Sequence, residues 1–207
     1  MTKQARAEQT RILVLAAAAE LLHRDGYAAT SMVDIARQAG ITKGGLYFHF
    51  SSKDEICDEV QDAAVAVLRE HVSRIDRRIT APPPALRRLA DLSRALMHWL
   101  GTDPRIGASF RLTREMGAKD ARYVTFTRAW LAQVRSYISE AHDAGELSAE
   151  VLPDMATLLV VVTCVGLESV VASGTIAPDT DLTRTLSELW RVIELAEAVP
   201  SVGVRRS

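Results

Sequence analysis

Two helix caps that lie eleven residues apart restrict the chain between residues 31 and 50 to a pair of short helices. Ser31-x-x-Asp34 is a capping box, and the helix that it opens ends at Gly40. Thr42 then caps a second short helix, predicted over 43–50. Two short helices joined through a tight turn have the dimensions of a helix-turn-helix, whose second helix can enter the major groove of DNA. The sequence therefore predicts a nucleic-acid-binding head.

The second short helix carries two adjacent glycines, Gly44 and Gly45, in its first turn. Each costs about 1 kcal/mol of helix stability relative to alanine, and the missing Cβ lets the backbone approach another surface closely. We predict that this surface is DNA, that Tyr47 and His49 direct polar groups at phosphates, and that Lys53 adds a charge beside the next helix. The predicted DNA-contacting residues are Thr42, Lys43, Gly44, Gly45, Tyr47, His49 and Lys53.

A purely structural interpretation applies to part of the same segment. Leu46, Phe48 and Phe50 are predicted to pack the small core of the head, because apolar side chains on a short helix need a core. Lys43 taken alone would indicate nothing, since exposed lysines are common. His49 is not expected to bind a metal, because no histidine or cysteine lies at ligand spacing from it.

Helical periodicity accounts for the rest of the chain, which lacks the alternating pattern typical of strands. The first helix includes Ile12 and Leu22 and ends near Gly26, and a capping box at Ser52 opens a long connecting helix predicted to reach Ile79. Glycine and proline separate further predicted helices at 86–100, 104–116, 120–144, 153–173 and 181–198. We predict an all-α protein with a helix-turn-helix head at 1–50, a helical body at 51–200 and a tail at 201–207.

Composition argues against several other classes of protein. Of the 207 residues, 48% are hydrophobic and 25% are charged, which is typical of a globular chain. Cys57 and Cys164 lie far apart and without ligand spacing, so no disulfide scaffold, metal site or cofactor is expected. The net charge is −1, yet residues 1–53 hold seven basic and four acidic side chains, which fits a head that faces a polyanion.

The chain is also expected to be cytoplasmic. Its first residues mix charged with apolar side chains and contain no leader-like apolar run. The longest apolar stretch, at 155–171, is short for a membrane span and includes Glu168. We therefore predict no membrane partner.

Polar groups on apolar helix faces indicate a candidate ligand site in the body. We predict that Trp130 forms a stacking wall and that Thr163 donates a hydrogen bond, within a mostly apolar pocket. Trp99 is a candidate for lining the same space, and Gln61 on the connecting helix is a further one. The alternative is structural, because a lone tryptophan is more often part of a core and a threonine can bond to its own helix backbone.

The last two predicted helices, at 153–173 and 181–198, are apolar over wide arcs. Arcs this wide indicate an interface, and two such helices from each protomer would form a four-helix bundle. Glu168 lies either at the rim of this interface or in an ion pair. A homodimer would place two heads on a pseudo-palindromic duplex, which one head alone is too small to select.

The head resembles that of TetR-type repressors in the stretch at 30–53. This stretch contains the motif Thr42-Lys43-Gly44-Gly45-Leu46-Tyr47-Phe48-His49-Phe50. The resemblance implies an all-α homodimer whose body binds an effector that lowers the affinity of the heads for DNA. A narrower similarity is to the γ-butyrolactone receptors of actinomycetes, which sense lactone, butenolide or furan signals. It is carried by Arg6-Ala7-Glu8-Gln9-Thr10-Arg11, the segment at 42–50, Arg111-Leu112, Trp130 and Gly145-Glu146-Leu147.

The resemblance implies a repressor that binds a pseudo-palindromic operator as a dimer and is released by a small apolar signal. One alternative is a repressor of the same type that controls an efflux or catabolic gene and responds to an unrelated hydrophobic ligand. A small helical enzyme is the least favoured alternative, because the sequence offers only scattered cysteines and five isolated histidines.

Overall fold

A computed structural model describes residues 3–76, 82–148, 150–175, 181, 184–186 and 188. This part of the chain contains helices and no strand, so the predicted all-α class is confirmed. The α-helices are α1 (Lys3–Ala29), α2 (Met32–Gln38), α3 (Lys43–His49), α4 (Lys53–Asp76), α5 (Ala85–Thr102), α6 (Pro104–Met116), α7 (Thr125–Asp143) and α8 (Pro153–Ala172). A 3₁₀ turn, Ala121–Val124, precedes α7.

Local capping chemistry sets the starts of the short helices. The Ser31 side chain accepts a hydrogen bond from the Asp34 amide at the start of α2, at 3.2 Å. The Thr42 hydroxyl accepts one from the Gly45 amide at the start of α3, at 3.0 Å. Each bond satisfies an amide that has no partner within its helix. Both predicted caps are therefore confirmed.

Helix boundaries differ clearly from the sequence prediction at two places, and two further predicted boundaries are not described. α1 continues to Ala29, but Gly26 interrupts it with a φ of 84°. The segment predicted as one helix over 120–144 begins with the 3₁₀ turn instead of an α-helical turn. The predicted end of α4 at Ile79 and most of the predicted helix at 181–198 lie outside the described residues; positions 184–186 and 188 are helical.

The described residues form two apolar cores, and the core of the head extends beyond residue 50. The head core joins side chains of α1, α2 and α3 to Ile56 and Val60 of α4. Ala108 and Leu112 of α6 also belong to it, as does Tyr123 of the 3₁₀ turn. α6 packs along α1, so the head rests on two helices of the body rather than on α4 alone.

The second core fills the body between α4, α5, α6, α7 and α8. α8 contributes only one side to it, through Thr157, Val160 and Cys164. Its other side exposes large apolar side chains: Met155, Leu158, Leu159 and Val162. By length and composition alone α8 is apolar enough to cross a membrane, contrary to the expectation that this segment is too short, although a single such helix is weak evidence of a span.

Candidate DNA-binding surface and ligand-binding core

The head core fixes which side of α3 faces away from the protein. Leu46 and Phe50, one helical turn apart, are 0% and 1% exposed. Phe48 is 79% exposed, so the prediction that it packs into the head core is wrong. The reason is angular: a residue two positions from each of two buried residues is rotated by about 200° from both. α3 therefore has one apolar side and one side free to meet another molecule.

The predicted DNA-contacting residues of α3 lie around this open side. Thr42, Lys43 and Gly44 are exposed, Tyr47 is about half exposed, and His49 is partly buried. The Lys43 ammonium lies 5.9 Å from the centre of the Tyr47 ring. The structure thus brings a cation, a phenol and an imidazole together on a helix seven residues long.

The two glycines of α3 have different surroundings. A Cβ atom at Gly44 would meet nothing within 4 Å, so nothing inside the described chain requires a glycine there. A Cβ atom at Gly45 would lie 3.2 Å from the Thr42 hydroxyl oxygen, which is a tight contact with the helix cap. The cap accounts for a small residue at Gly45, whereas no contact among the described residues accounts for the glycine at position 44.

Lys53 is turned inward, unlike the other predicted contacts. Its ammonium donates hydrogen bonds to the carbonyl oxygens of Tyr27 and Thr30, at 2.7 and 2.9 Å. It also lies 3.7 Å from the centre of the Tyr27 ring. These bonds hold the end of α1 against the start of α4, so Lys53 has a structural role that the sequence did not indicate.

Arg11 of α1 is a further residue that positions α3. Its guanidinium donates to the His49 carbonyl oxygen at 3.1 Å, forms an ion pair with Glu59 and lies 4.5 Å from the centre of the Phe50 ring. In the sequence, Arg11 stands out only as part of the segment that carries a resemblance. A cation near the last carbonyls of a helix also interacts favourably with the helix dipole.

Asp54 joins three elements where the head meets the body. One carboxylate oxygen accepts hydrogen bonds from the hydroxyls of Tyr27 and Tyr123, the latter at 2.7 Å. The two rings pack edge to face, with centres 5.5 Å apart. The hydrogen bond from Tyr27, and then that from Tyr123, lower the pKa of Asp54. This carboxylate therefore ties the end of α1 and the 3₁₀ turn to the start of α4.

α6 holds the same end of α1 from the other side. Arg111 donates to the carbonyl oxygens of His23 and Arg24, and Glu115 accepts from the Tyr27 amide at 2.9 Å. Gly26 lies against this pair, since a Cβ there would come within 2.4 Å of Glu115 Oε1. Arg111 was noted at the sequence level only as part of a resemblance.

Trp130 lies in the body core and is 0% exposed. Its ring centre is 6.2 Å from that of Phe110, and its indole N–H is buried without a hydrogen-bond partner. The Tyr137 hydroxyl, two turns further along α7, and His71 Nε2 on α4 are also buried without partners. Three such atoms in one body are notable, because buried polar groups in folded proteins are generally hydrogen-bonded.

Burial also sets the ionisation of these groups. It raises the pKa of Tyr137 to about 12, and it lowers the pKa of His71, with Arg74 adding to the effect. Both side chains are therefore neutral near pH 7. Trp99, predicted to line the ligand space, packs edge to face on His71 with ring centres 5.0 Å apart.

Gln61 is fully buried, but its amide is already engaged. It donates to the Arg122 carbonyl oxygen at 2.9 Å and accepts from the Thr125 amide at 3.1 Å. Gln61 thus connects α4 to the start of α7, a structural role that the sequence did not indicate, and its ligand contact stays a prediction. Thr163 is partly buried and lies outside the Thr157, Val160 and Cys164 side of α8.

A cleft of about 450 Å³ lies between α4 and α7. Val65 and Leu68 line its wall, and Ala129 and Gln133 line it from the part of α7 that carries Trp130. The cleft therefore adjoins the segment that carries the buried indole.

Two glutamates make further polar contacts between elements of the body. Glu146 caps the start of α5 by accepting from the amides of Ala85 and Leu86, at 2.8 and 2.9 Å. Glu168, predicted to be either at a rim or paired, accepts from Arg114 of α6 at 2.9 and 3.0 Å. Within the described part of the chain, no cluster of histidine, cysteine or acidic side chains has a geometry that would hold a metal ion.

Comparison with known proteins finds similarity in both sequence and fold. A model of the bacterial regulatory proteins of the tetR family matches residues 14–60. The A-factor receptor protein of Streptomyces griseus is 28% identical over 98% of this chain and 68% of its own length. The crystal structure of full-length TylP, a TetR regulator from Streptomyces fradiae, is 30% identical, with a TM-score of 0.71 over 98% of this chain and 92% of that chain.

A third similar structure is CprB from Streptomyces coelicolor in complex with its biological operator sequence. It is 26% identical, with a TM-score of 0.70 over 90% of this chain and 87% of that chain. The fold and the open side of α3 define a helix-turn-helix transcriptional regulator. The chain belongs to the TetR family and is related to the γ-butyrolactone receptors. TetR-family regulators are not enzymes.

Proposed function

We propose that this protein is a repressor that binds a pseudo-palindromic operator as a homodimer and is released by a small apolar signal. The observation that carries the proposal is the open side of α3. There Gly44 has no side chain and no neighbour, while Lys43, Tyr47 and His49 surround it with polar groups. In a helix-turn-helix, such residues reach base edges and phosphates.

The apolar side of α8 supports the dimer. Met155, Leu158, Leu159 and Val162 recur at helical spacing and are each more than half exposed. A soluble protein rarely leaves such a stripe in water, and a second copy would cover it. In a DNA-competent dimer we expect the two α3 helices to lie about 34–36 Å apart, which is one turn of B-form DNA.

The unpartnered polar atoms of the body support a ligand site around Trp130. An indole N–H only donates, so its partner in a ligand would be an oxygen or another acceptor. The surrounding core is apolar, with Phe110 against the indole and Phe126 against Phe110. A small, mostly apolar molecule with a carbonyl group fits this chemistry, and a lactone, butenolide or furan signal is of that kind. Thr163 and Trp99 remain proposed contacts.

The contacts between head and body support a mechanism for release. α7 carries Trp130 and begins at the turn that Gln61 and Asp54 tie to α4. A ligand that fits better when α7 is displaced would shift α4 and the end of α1 with it. Moving operator occupancy from 99:1 to 1:99 takes a preference of about 5.5 kcal/mol, which the two ligand sites of a dimer would share.

The experiment that tests the proposal begins with selection of bound duplexes from a random pool. We expect recovery of a pseudo-palindromic sequence, bound by a species with the mass of a dimer or of a multiple of it. A panel of γ-butyrolactones, butenolides and furans is then titrated into the complex. Binding by a monomer, or no preference for any duplex, would refute the repressor. Release only by unrelated hydrophobic compounds would favour the alternative efflux or catabolic repressor.

A further inference from the structure

The open side of α3 is centred on an aromatic ring. The buried side is marked by Leu46 and Phe50, and Phe48 lies about 200° around the helix from each of them. With 79% of its surface exposed, Phe48 is the most exposed of the large apolar residues described for this protein. An aromatic ring in water forgoes the free energy that burial of its surface would supply.

The turn beneath the ring is bare. Side chains on a helix lean toward its amino-terminal end, so Phe48 extends over the turn that holds Gly44 and Gly45. Neither glycine has a side chain to shield the ring, and the space beside Gly44 is open. The His49 ring packs against Phe48 edge to face, with centres 5.2 Å apart. The phenyl ring is thus open to a molecule that approaches this side of α3.

The chemistry of the major groove decides what such a ring can recognise. Base edges there present hydrogen-bond donors and acceptors, which a phenyl ring cannot satisfy. The exception is the C5-methyl group of thymine, which is apolar and projects into the groove. Of the four bases, thymine is therefore the one that gains from contact with Phe48.

We propose that Phe48 is a specificity-determining residue that packs on a thymine methyl group in each half-site of the operator. The His49 ring packs against Phe48. In the complex, Lys43, Tyr47 and His49 would supply polar contacts and Phe48 an apolar one. The inference rests on the proposed DNA-binding function and adds a required base to the operator.

The test uses a duplex recovered by selection with the full-length protein. Each thymine is replaced in turn, in both half-sites, by deoxyuridine, which lacks only the methyl group. We expect one position at which affinity falls about fourfold per half-site, which is what burial of one methyl group supplies. The other thymines should tolerate the change.

The Phe48→Ala variant, tested on the same duplexes, completes a double-mutant cycle between the side chain and the thymine methyl group. Its exposed side chain lies outside the core, so the melting temperature should stay close to that of the wild type. With this variant the penalty for deoxyuridine at the sensitive position should vanish. In His49→Ala, the matched control, the penalty should persist although binding is weaker overall.

Three results would overturn the inference. They are a selected half-site without thymine, equal tolerance of deoxyuridine at every position, and a penalty that persists in Phe48→Ala. If no duplex is selected at all, the proposed function itself fails.

Discussion

The open side of α3 and the core of the body differ in whether their polar groups are exposed to solvent or buried without a hydrogen-bond partner. On α3 the polar side chains are wholly or partly exposed, and the cap of the helix is already satisfied by Thr42. In the body, Trp130, Tyr137 and His71 each bury a polar atom that no neighbour satisfies. This difference supports the proposals made above, that the head binds DNA through α3 and that a ligand supplies hydrogen-bond partners in the core of the body.

The largest expected effect is that of a side chain at Gly44. In Gly44→Val the new methyl groups would fill the space beside α3, so operator binding should fall to the non-specific level, roughly a thousandfold or more weaker. Helix propensity favours valine over glycine, so the fold should persist. The matched control is Gly45→Ala, whose Cβ meets only the Thr42 hydroxyl and should cost little. Gel-shift titration and circular dichroism measure both. If Gly44→Val binds the operator as tightly as the wild type does, Gly44 does not lie against the DNA groove.

A smaller effect is expected from removing the unpartnered indole N–H. Trp130→Ala would cost about 3–5 kcal/mol of folding stability and would confound the result. Trp130→Phe keeps an aromatic ring and removes the donor. We expect operator affinity to be unchanged and the ligand concentration for half release to rise about tenfold, as for the loss of one buried hydrogen bond. Release is followed by fluorescence anisotropy of a labelled operator.

Phe126→Leu is the control for this change, because it alters the same helix and the same core without touching a polar atom. It should lower the melting temperature and leave the ligand response nearly unchanged. If Trp130→Phe responds to the ligand as the wild type does, the indole belongs to the core alone, and the DNA-binding proposal is unaffected.

The smallest effect separates two roles of Lys53. Because its ammonium bonds to two carbonyl oxygens, Lys53→Met should lower the free energy of unfolding by about 1–3 kcal/mol. If the same ammonium also contacts a phosphate, the slope of log affinity for the operator against log salt concentration should fall in magnitude by about one. Lys43→Met, at an exposed position, should change binding without changing stability. An unchanged unfolding midpoint in Lys53→Met would refute its structural role.

Sequence patterns located the two short helices of the head correctly because their determinants are local. Caps such as Ser31 and Thr42 act within three residues, and glycine marked the turn between α2 and α3. Phe48 was assigned wrongly because the spacing of Leu46, Phe48 and Phe50 is that of a strand, whereas a helix rotates the middle residue to the far side. Helical geometry applied residue by residue would have found it.

Contacts between distant segments could not be predicted in this way. Asp54 looked like part of an acidic run, and only the fold brings Tyr27 and Tyr123 to its carboxylate. In the sequence, Gln61 is a polar group available to a ligand, and only the fold brings the Thr125 amide at the start of α7 to its side chain. In both cases the partner lies more than 20 residues away, so no local pattern identifies it.

The core that the head shares with α6 has a consequence for engineering. A chimaera that grafts residues 1–50 onto the body of another regulator would leave behind Ala108, Leu112 and Tyr123. It would also lose Arg111 and Glu115, which hold the end of α1. A transplanted recognition unit must therefore bring its supporting surface from α6 with it, and the functional module is a discontinuous set of residues rather than a length of chain.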